Sequence, residues 1–450
     1  MFIGSGFTLG DETALVSMFD SNAHTVCLNK STLRVGMIGL GMIFDETYRP
    51  VFEQLQQDGL FRRDFGFVDV QLTAVASRTG RRAEKLRASS TLNTFQSYSG
   101  AGAHRQLVDS GVDAVCVATP DDRHFEAAYQ ALAAGKHVLI EKPSVLRLQE
   151  LDELVRIAEE RQVLAKVVYH KLADPDHKRL RTLVRDGVLK HVNHGYCSLL
   201  EPKSISGQQF AEWIQGRNPA TYVAVHYLKL IDFTFGPTWR LARVTATGQR
   251  GIVGPTDGTT WDSVQLQVTY VHPDGRDATF DIHTSWVTPD NFPGYVEQEV
   301  QFRFDNAVWN AHQRKRGVEV TIEGRTPLEM KITPNHHYNS MTEEPWGGRR
   351  QRGYGLEVIQ RFFEEVSFVE FGGPPTDRPR RYRWMSDLEY NALKSDRRVV
   401  AIVQALETIL RRAAEGKPDG MAFFDQPQGG VVIRWPGQTG EEVLYDGPVN

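Results

Sequence analysis

Between Leu33 and about Lys166 short apolar runs alternate with amphipathic stretches, and this alternation limits the fold more than any other feature. LRVGMIGLG (33–41) reads as a buried strand running into a glycine turn. VQLTAVAS (70–77) is a second strand and TGRRAEKLR (79–87) the helix behind it. VDAVCVATP (112–120) is a third, followed by a helical stretch that ends on Gly135, where a helix-terminating glycine belongs. HVLIEKP (137–143) and VLAKVVY (163–169) are two more strands, separated by the helix LQELDELVRIAEER. Strands apolar on both faces, each followed by a helix, mark a parallel, doubly wound sheet.

The expected fold class is α/β: an N-terminal Rossmann sheet, then a C-terminal α+β domain on a largely antiparallel sheet. The character changes near Tyr169. Strand-like stretches follow at 190–200, 239–248, 262–273, 278–287 and 296–304, with a hairpin signal at Pro273-Asp274-Gly275. Helices return at 354–366 and 386–414, and GGVVIRW in the tail is β-like. The expected division is an N-terminal arm (1–32), a dinucleotide-binding domain (33–168), a substrate-binding and oligomerisation domain (169–415) and an appendage (416–450). The last helices are free to return to the first domain.

Composition narrows the partners. The 52 basic and 56 acidic residues leave a net charge of -4, which gives no global pull toward nucleic acid or an anionic membrane. The basic run Arg378 to Arg383 reads as a solvated loop able to pair with acidic neighbours. Cys27, Cys116 and Cys197 are too few and scattered for a disulfide framework or a zinc site. Residues 1–32 lack the basic start and apolar core of a signal peptide, and no apolar stretch is long enough to span a bilayer, so the cytoplasm is the expected compartment. No metal is expected, since His191 and His194 lack a third ligand of suitable spacing and His336-His337 are adjacent. A serine-nucleophile elbow and a phosphate-binding P-loop are both absent.

Gly39-Leu40-Gly41 sits directly after the first strand, where glycines let the backbone turn tightly and approach a pyrophosphate. The backbone of Met42 and Ile43 opens the next helix and joins the same contacts. The third position of the fingerprint holds Phe44, and Pro50 requires a helix that starts late or kinks. The second strand ends in Ser77-Arg78, 36 residues beyond Gly41, with 56–69 as an insertion. Serine and arginine there remove the repulsion against a 2′-phosphate and offer it a cation, so the cofactor is NAD or NADP with a lean to NADP.

Glu141-Lys142-Pro143 lies at the carboxyl end of a parallel strand, where open α/β sheets bind ligands. With the GLG turn, Ala118-Thr119-Pro120 and His124, this tripeptide resembles the Gfo/Idh/MocA oxidoreductases, which include glucose–fructose oxidoreductase and inositol dehydrogenases. The resemblance is clear over about 33–240 and looser in the C-terminal helices. It implies a site between two domains, homo-oligomers joined through the second sheet, and cofactor contacts from Thr119, Pro120, His124 and Glu141. It places Lys142 beside the nicotinamide, where a partly desolvated amine exchanges a proton with a substrate hydroxyl. The family's second motif sets an Asp four residues before a His on a helix. Here His226 matches and Tyr222 replaces the Asp, with both on one helical face. A phenol is neutral at pH 7 and cannot hold substrate as a carboxylate does. Lys142, His226 and Tyr222 are the expected catalytic set.

Tyr169 and Lys171, which flank His170 at the end of the fifth strand, are expected to face substrate together with His226 and Trp286. Trp286, Asn291, Trp309, His336, His337 and Tyr338 form an aromatic and amide-rich group suited to sugars, although each alone is also an ordinary sheet residue. The expected activity is hydride transfer between a nicotinamide and a secondary hydroxyl or ketone of a sugar, glycoside or cyclic polyol. Two rivals stay open: a redox-cycling glycosidase or lyase with tightly held NAD, and a non-catalytic dinucleotide-binding regulator.

Overall fold

A computed structural model describes residues 30–204, 213–254, 259–290, 292, 296–313, 320–321, 331–332, 337–345, 348–388, 390–424 and 430–450. Residues 1–29 of the expected arm, Asn291 and His336 lie outside these. The first strand starts earlier than the apolar run suggests, so 30–32 belong to the sheet and not to an arm.

The N-terminal sheet comprises β1 (Lys30–Ile38), β2 (Leu60–Arg62), β3 (Gly66–Ser77), β4 (Gln96–Ser99), β5 (Ala114–Val117), β6 (His137–Ile140) and β7 (Ala165–Val167). Their order is β2-β3-β1-β5-β6-β7, with β4 also beside β3. All pairings are parallel except β2 with β3, which turns the 56–69 insertion into an antiparallel flap. Val35, Met37, Val115 and Leu139 are fully buried, as strands covered on both faces require. The chain winds from β1 outward to β3 and then crosses back to β5. That reversal opens a crevice beyond the carboxyl ends of β1 and β5.

The second sheet is built from β8 (Val192–Pro202), β9 (Arg240–Arg250), β10 (Trp261–Val271), β11 (Asp277–Thr288), β12 (Glu297–Phe304) and β13 (Val308–His312). Two short ladders stand apart from it: β14 (Val320–Thr321) with β15 (Lys331–Ile332), and β16 (Ser340–Glu343) with β17 (Arg349–Arg352). The tail contributes β18 (Met421–Phe423), β19 (Val431–Arg434) and β20 (Glu441–Tyr445), giving the order β13-β12-β8-β11-β10-β9-β18-β19-β20. The expected appendage is thus an extension of the sheet. One pair, β8 with β11, is parallel and the rest are antiparallel. Burial alternates along β11, the pattern of a sheet with one covered face.

Two apolar cores hold the layers together. Helix Leu148–Arg161 and helix Arg397–Ala414 place leucines, valines and isoleucines in a core shared with the inner face of the second sheet. Helix Tyr354–Phe371 instead covers the other face of the first sheet, where Phe363 meets Phe52 with ring centroids 5.6 Å apart. The basic run at 378–383 departs from its expected loop: it begins a helix, Arg378–Ser386. Arg381 is buried there and donates to the carbonyls of Val369 and Pro374, while Arg378 pairs with Glu370 at 2.8 Å. Carbonyls hold Arg381 through Nε and Nη1, while its Nη2 is buried without a partner among the described residues, a placement that charge counting alone does not reveal. The expected 386–414 helix is likewise two helices, ending at Ser386 and restarting at Arg397. Among the described residues no helix is long and apolar enough to cross a membrane.

Candidate active site

The crevice begins at the glycine turn. Gly39 has φ +96°, and a Cβ there would lie 2.3 Å from the Ala118 carbonyl oxygen. Glycine is required because the ends of β1 and β5 touch at that point. Gly41 is different: a Cβ on it meets nothing within 4 Å, so the space in front of it is open. Met42 and Ile43 begin the helix half-buried, and Phe44 is buried in the core. The chain accommodates Pro50 as expected, in the first turn of a helix that starts at Arg49. Phe44–Tyr48 widen into a π-helical turn that leads into helix Arg49–Asp58. The Glu46 carbonyl, four residues before the N–H that Pro50 lacks, accepts a 2.8 Å hydrogen bond from Asn339 Nδ2.

The other expected nucleotide contacts surround this space. Thr119 follows β5, and its Oγ1 is buried without a partner. Ser77 Oγ accepts the N–H of Gly80, and Arg78 beside it is exposed. Arg82, which the sequence did not single out, donates to the Leu40 carbonyl at 2.9 Å and so borders the turn. An open glycine cradle, an orphaned hydroxyl and two arginines at the end of β3 fit a nicotinamide dinucleotide.

Lys142 stands at the mouth of β6, before a cis peptide bond to Pro143. His124 clamps the loop, with Nδ1 2.8 Å from the Pro143 carbonyl and Nε2 2.8 Å from that of Thr119. Glu141 is buried and accepts the Tyr48 hydroxyl at 3.0 Å, so the π-helical turn reaches into the site. Burial pushes Glu141 up to about 7, against the opposing pull of Lys142 and Tyr48.

The Lys142 ammonium donates to the Tyr222 carbonyl at 2.7 Å and rests over the Tyr222 ring. Loss of solvation lowers its pKa, and the nearby Glu141, Glu201 and Asp121 only partly restore it. The helix bearing Tyr222 and His226 is not regular. Ala220–Ala224 form a π-helical turn before helix Val225–Phe235, so the two side chains do not stack as the i, i+4 spacing suggests. Tyr222 meets Trp213 and Trp286, with ring centroids 5.1 and 6.2 Å away. His226 turns toward Tyr169 and His170, its Nδ1 buried and unpartnered. Burial and then Lys142 hold His226 well below the usual histidine range.

Several residues expected to face substrate are otherwise engaged. The Tyr169 hydroxyl donates to Asp396 Oδ1 at 2.8 Å in a buried network that also holds Ser144. Lys171 is buried and donates to Gln298 and to Gln313, the latter at 2.6 Å. Trp286 is fully buried, and its Nε1 donates to Glu201 Oε2 at 2.8 Å. Distant partners satisfy all three polar groups, and spacing does not reveal distant partners. His170, named between Tyr169 and Lys171 at the strand end, does enter the site, and Glu201 enters it without having been chosen. Burial and then Lys142 lower His170 to about 3, against a weaker opposing pull from the Gly355 backbone.

His191 does gain companions in space, His272 and Asp274. A cation already occupies that corner: Arg276 lies 2.7 Å from His191 Nδ1 and 3.1 Å from Asp274.

The strand-end lysine and the glycine cradle stand together at the sheet's switch point. Residues 33–169 match the family model for the oxidoreductase family with NAD-binding Rossmann fold. This segment belongs to the Gfo/Idh/MocA oxidoreductases. A relative from Actinomadura kijaniata, dTDP-3,4-didehydro-2,6-dideoxy-alpha-D-glucose 3-reductase, is 29% identical over 179 residues, covering 40% of this chain and 49% of its own. The chain spans about half the length, or less, of the curated relatives it matches first. Among solved structures, GenD2 from gentamicin A biosynthesis, in complex with NAD, superposes with a TM-score of 0.61 at 21% identity, over 88% of this chain and 97% of that one. The apo scyllo-inositol dehydrogenase from Lactobacillus casei gives 0.57 at 13% identity, over 85% and 97%. These family folds share the Rossmann sheet followed by a mostly antiparallel second sheet.

Proposed function

We propose that this protein is a nicotinamide-dependent dehydrogenase or reductase acting on a secondary hydroxyl or ketone of a sugar, glycoside or cyclic polyol. The observation that carries the reading is Lys142, an amine of lowered pKa at the switch-point crevice, beside a glycine cradle with open space at Gly41. When bound, the nicotinamide supplies hydride acceptance or donation at the substrate carbon. The neutral Lys142 amine takes the proton of the reacting hydroxyl and returns it in the reverse direction. Tyr222 steadies that amine through its carbonyl and its ring. His226, held neutral, offers a hydrogen bond to the substrate oxygen. The aromatic wall of Trp213 and Tyr222, backed by buried Trp286, suits the carbon face of a ring and excludes water.

For the cofactor, no acidic side chain stands between Ala76 and Gly80, and Arg78 is exposed there, which favours NADP while leaving NAD compatible. The relatives named above act on a sugar nucleotide or an inositol, in keeping with a polyhydroxy substrate. A cytoplasmic homo-oligomer joined through the open face of the second sheet completes the reading.

The test is nicotinamide absorbance and fluorescence of the purified protein, as isolated and after titration with NAD(H) and NADP(H), followed by a sugar and polyol panel. Exchangeable binding with turnover that disappears in Lys142→Ala is the expected result. Nucleotide that never exchanges, with product formed without added cofactor, would favour the redox-cycling enzyme. Failure to bind either dinucleotide would overturn the reading.

A further inference from the structure

Three carboxylates surround Lys142, and two are committed elsewhere. Glu141 accepts the Tyr48 hydroxyl on Oε1 and the Lys142 N–H on Oε2. Asp121 accepts the N–H of Asp122 and is ion-paired with Arg217 at 2.9 Å. Glu201, next to the last residue of β8, is 7% exposed, yet it has no ion pair among the described residues. Its Oε2 accepts from Trp286 Nε1 at 2.8 Å, and its Oε1 makes no hydrogen bond to the described residues. Glu201 is thus a nearly buried carboxylate with one acceptor oxygen open to a ligand or to water. With no donor to Oε1 among the described residues, a hydroxyl of a polyhydroxy ligand is a fitting source.

The surroundings specify that ligand further. Trp286 links Glu201 to the aromatic wall, since its ring lies 6.2 Å from that of Tyr222, over which Lys142 Nζ sits at 3.9 Å. A ring with its carbon face on that wall presents hydroxyls toward both Lys142 and Glu201. Position 222 itself supplies only a neutral phenol. We infer that Glu201 is the substrate-reading carboxylate of this site, accepting through Oε1 a hydrogen bond from a second hydroxyl of a neutral or amine-bearing polyol. The inference rests on the dehydrogenase reading above. It adds a direction of selectivity: a sugar acid or sugar phosphate would bring a negative charge against Glu201 and against Glu46, which acts on it from the helix after the glycine turn. Among the described residues, the charged groups acting on Glu201 are Lys142 from the loop after β6 and Glu46. Burial first, and then Glu46, push its carboxyl up to about 7 against Trp286 and Lys142.

The test compares wild type with Glu201→Gln, using NAD+ or NADP+ and matched pairs of neutral polyols and their acid or phosphate counterparts. Glu201→Gln is expected to raise KM for the neutral substrate about 10- to 100-fold, the scale of a hydrogen bond to a charged group, with kcat changed much less. Its preference for neutral over anionic partners should narrow, and dinucleotide affinity by fluorescence titration should stay constant. A readout independent of substrate is the tryptophan fluorescence of the free protein, which should titrate near pH 7 in wild type and lose that transition in Glu201→Gln. Should that variant not fold, Glu201→Asp, which keeps the charge and withdraws it by one methylene, should show a smaller rise in KM. Wild-type turnover with KM and selectivity unchanged in a folded variant would overturn this inference and leave the dehydrogenase reading standing. No wild-type turnover of any polyol would overturn both.

Discussion

The Nζ of Lys142 lies 3.9 Å from the centre of the Tyr222 ring while donating to the same residue's carbonyl at 2.7 Å. One residue thus holds the amine twice, once through a side chain that mutation can remove and once through backbone that it cannot.

That double hold separates two substitutions. The ring favours the ammonium form, so Tyr222→Leu should lower the Lys142 pKa further and move the rising limb of the oxidation pH–rate profile to lower pH. A cation–π contact of about 0.5–2 kcal/mol corresponds to a shift of roughly 0.4–1.5 pH units. Tyr222→Phe keeps the ring and should leave the limb in place. Lys142→Met should lose about a hundredfold or more in kcat with dinucleotide affinity little changed. A pH–rate profile of the three variants decides.

The two glycines of the turn should fail in different ways. Gly39→Ala combines φ +96° with a contact of 2.3 Å to the Ala118 carbonyl, so it should lower Tm and dinucleotide binding together. Gly41→Ala enters open space at ordinary backbone angles and should leave Tm unchanged while weakening dinucleotide binding. Thermal melts paired with fluorescence titrations would show whether the space before Gly41 is the nucleotide's.

Tyr169→Phe removes a hydroxyl that donates to buried Asp396. Losing a hydrogen bond to a charged group should cost about 1.5–3 kcal/mol of stability. Because that hydroxyl points into the fold, KM should not change. A large KM effect with no loss of stability in urea would return Tyr169 to the substrate side.

Stability should depend on pH through the raised carboxyls. Glu141 and Glu201 lie at about 7 in the folded protein, against about 4.3 for an unfolded glutamate. Folding therefore binds protons between those values, and stability from these two groups is lost as pH rises through the window, with the full cost present above 7. Glu141→Gln or Glu201→Gln should each gain stability at pH 8, by at most on the order of 3 kcal/mol, and the gain should shrink by pH 5. Urea melts of the nucleotide-free protein at both pH values measure it.

Much of the first domain was legible because its code is local. Apolar runs of strand length, helix-ending Gly135 and the GLG turn act within a few residues, and the sheet forms where they stand. Where the local code ran out, distant partners decided. The helix does start at Arg49, beside Pro50, but Asn339, almost 300 residues away, caps the Glu46 carbonyl of the π-helical turn that precedes it. The 378–383 run folds as the start of a helix, with Arg381 donating to the Val369 and Pro374 carbonyls and Arg378 paired with Glu370.

The sequence by itself determined the alternating architecture, the glycine turn at the end of β1 and a lysine at the end of β6, since hydrophobic period and backbone freedom are properties of short segments. Only the tertiary structure decided which polar side chains remain available to a ligand. Tyr169, Lys171 and Trp286 are taken by Asp396, Gln313 and Glu201, while Glu201 Oε1 has no hydrogen bond among the described residues. A hydrogen bond between residues 85 to 227 apart depends on how strands and helices pack, and no spacing within a segment encodes it.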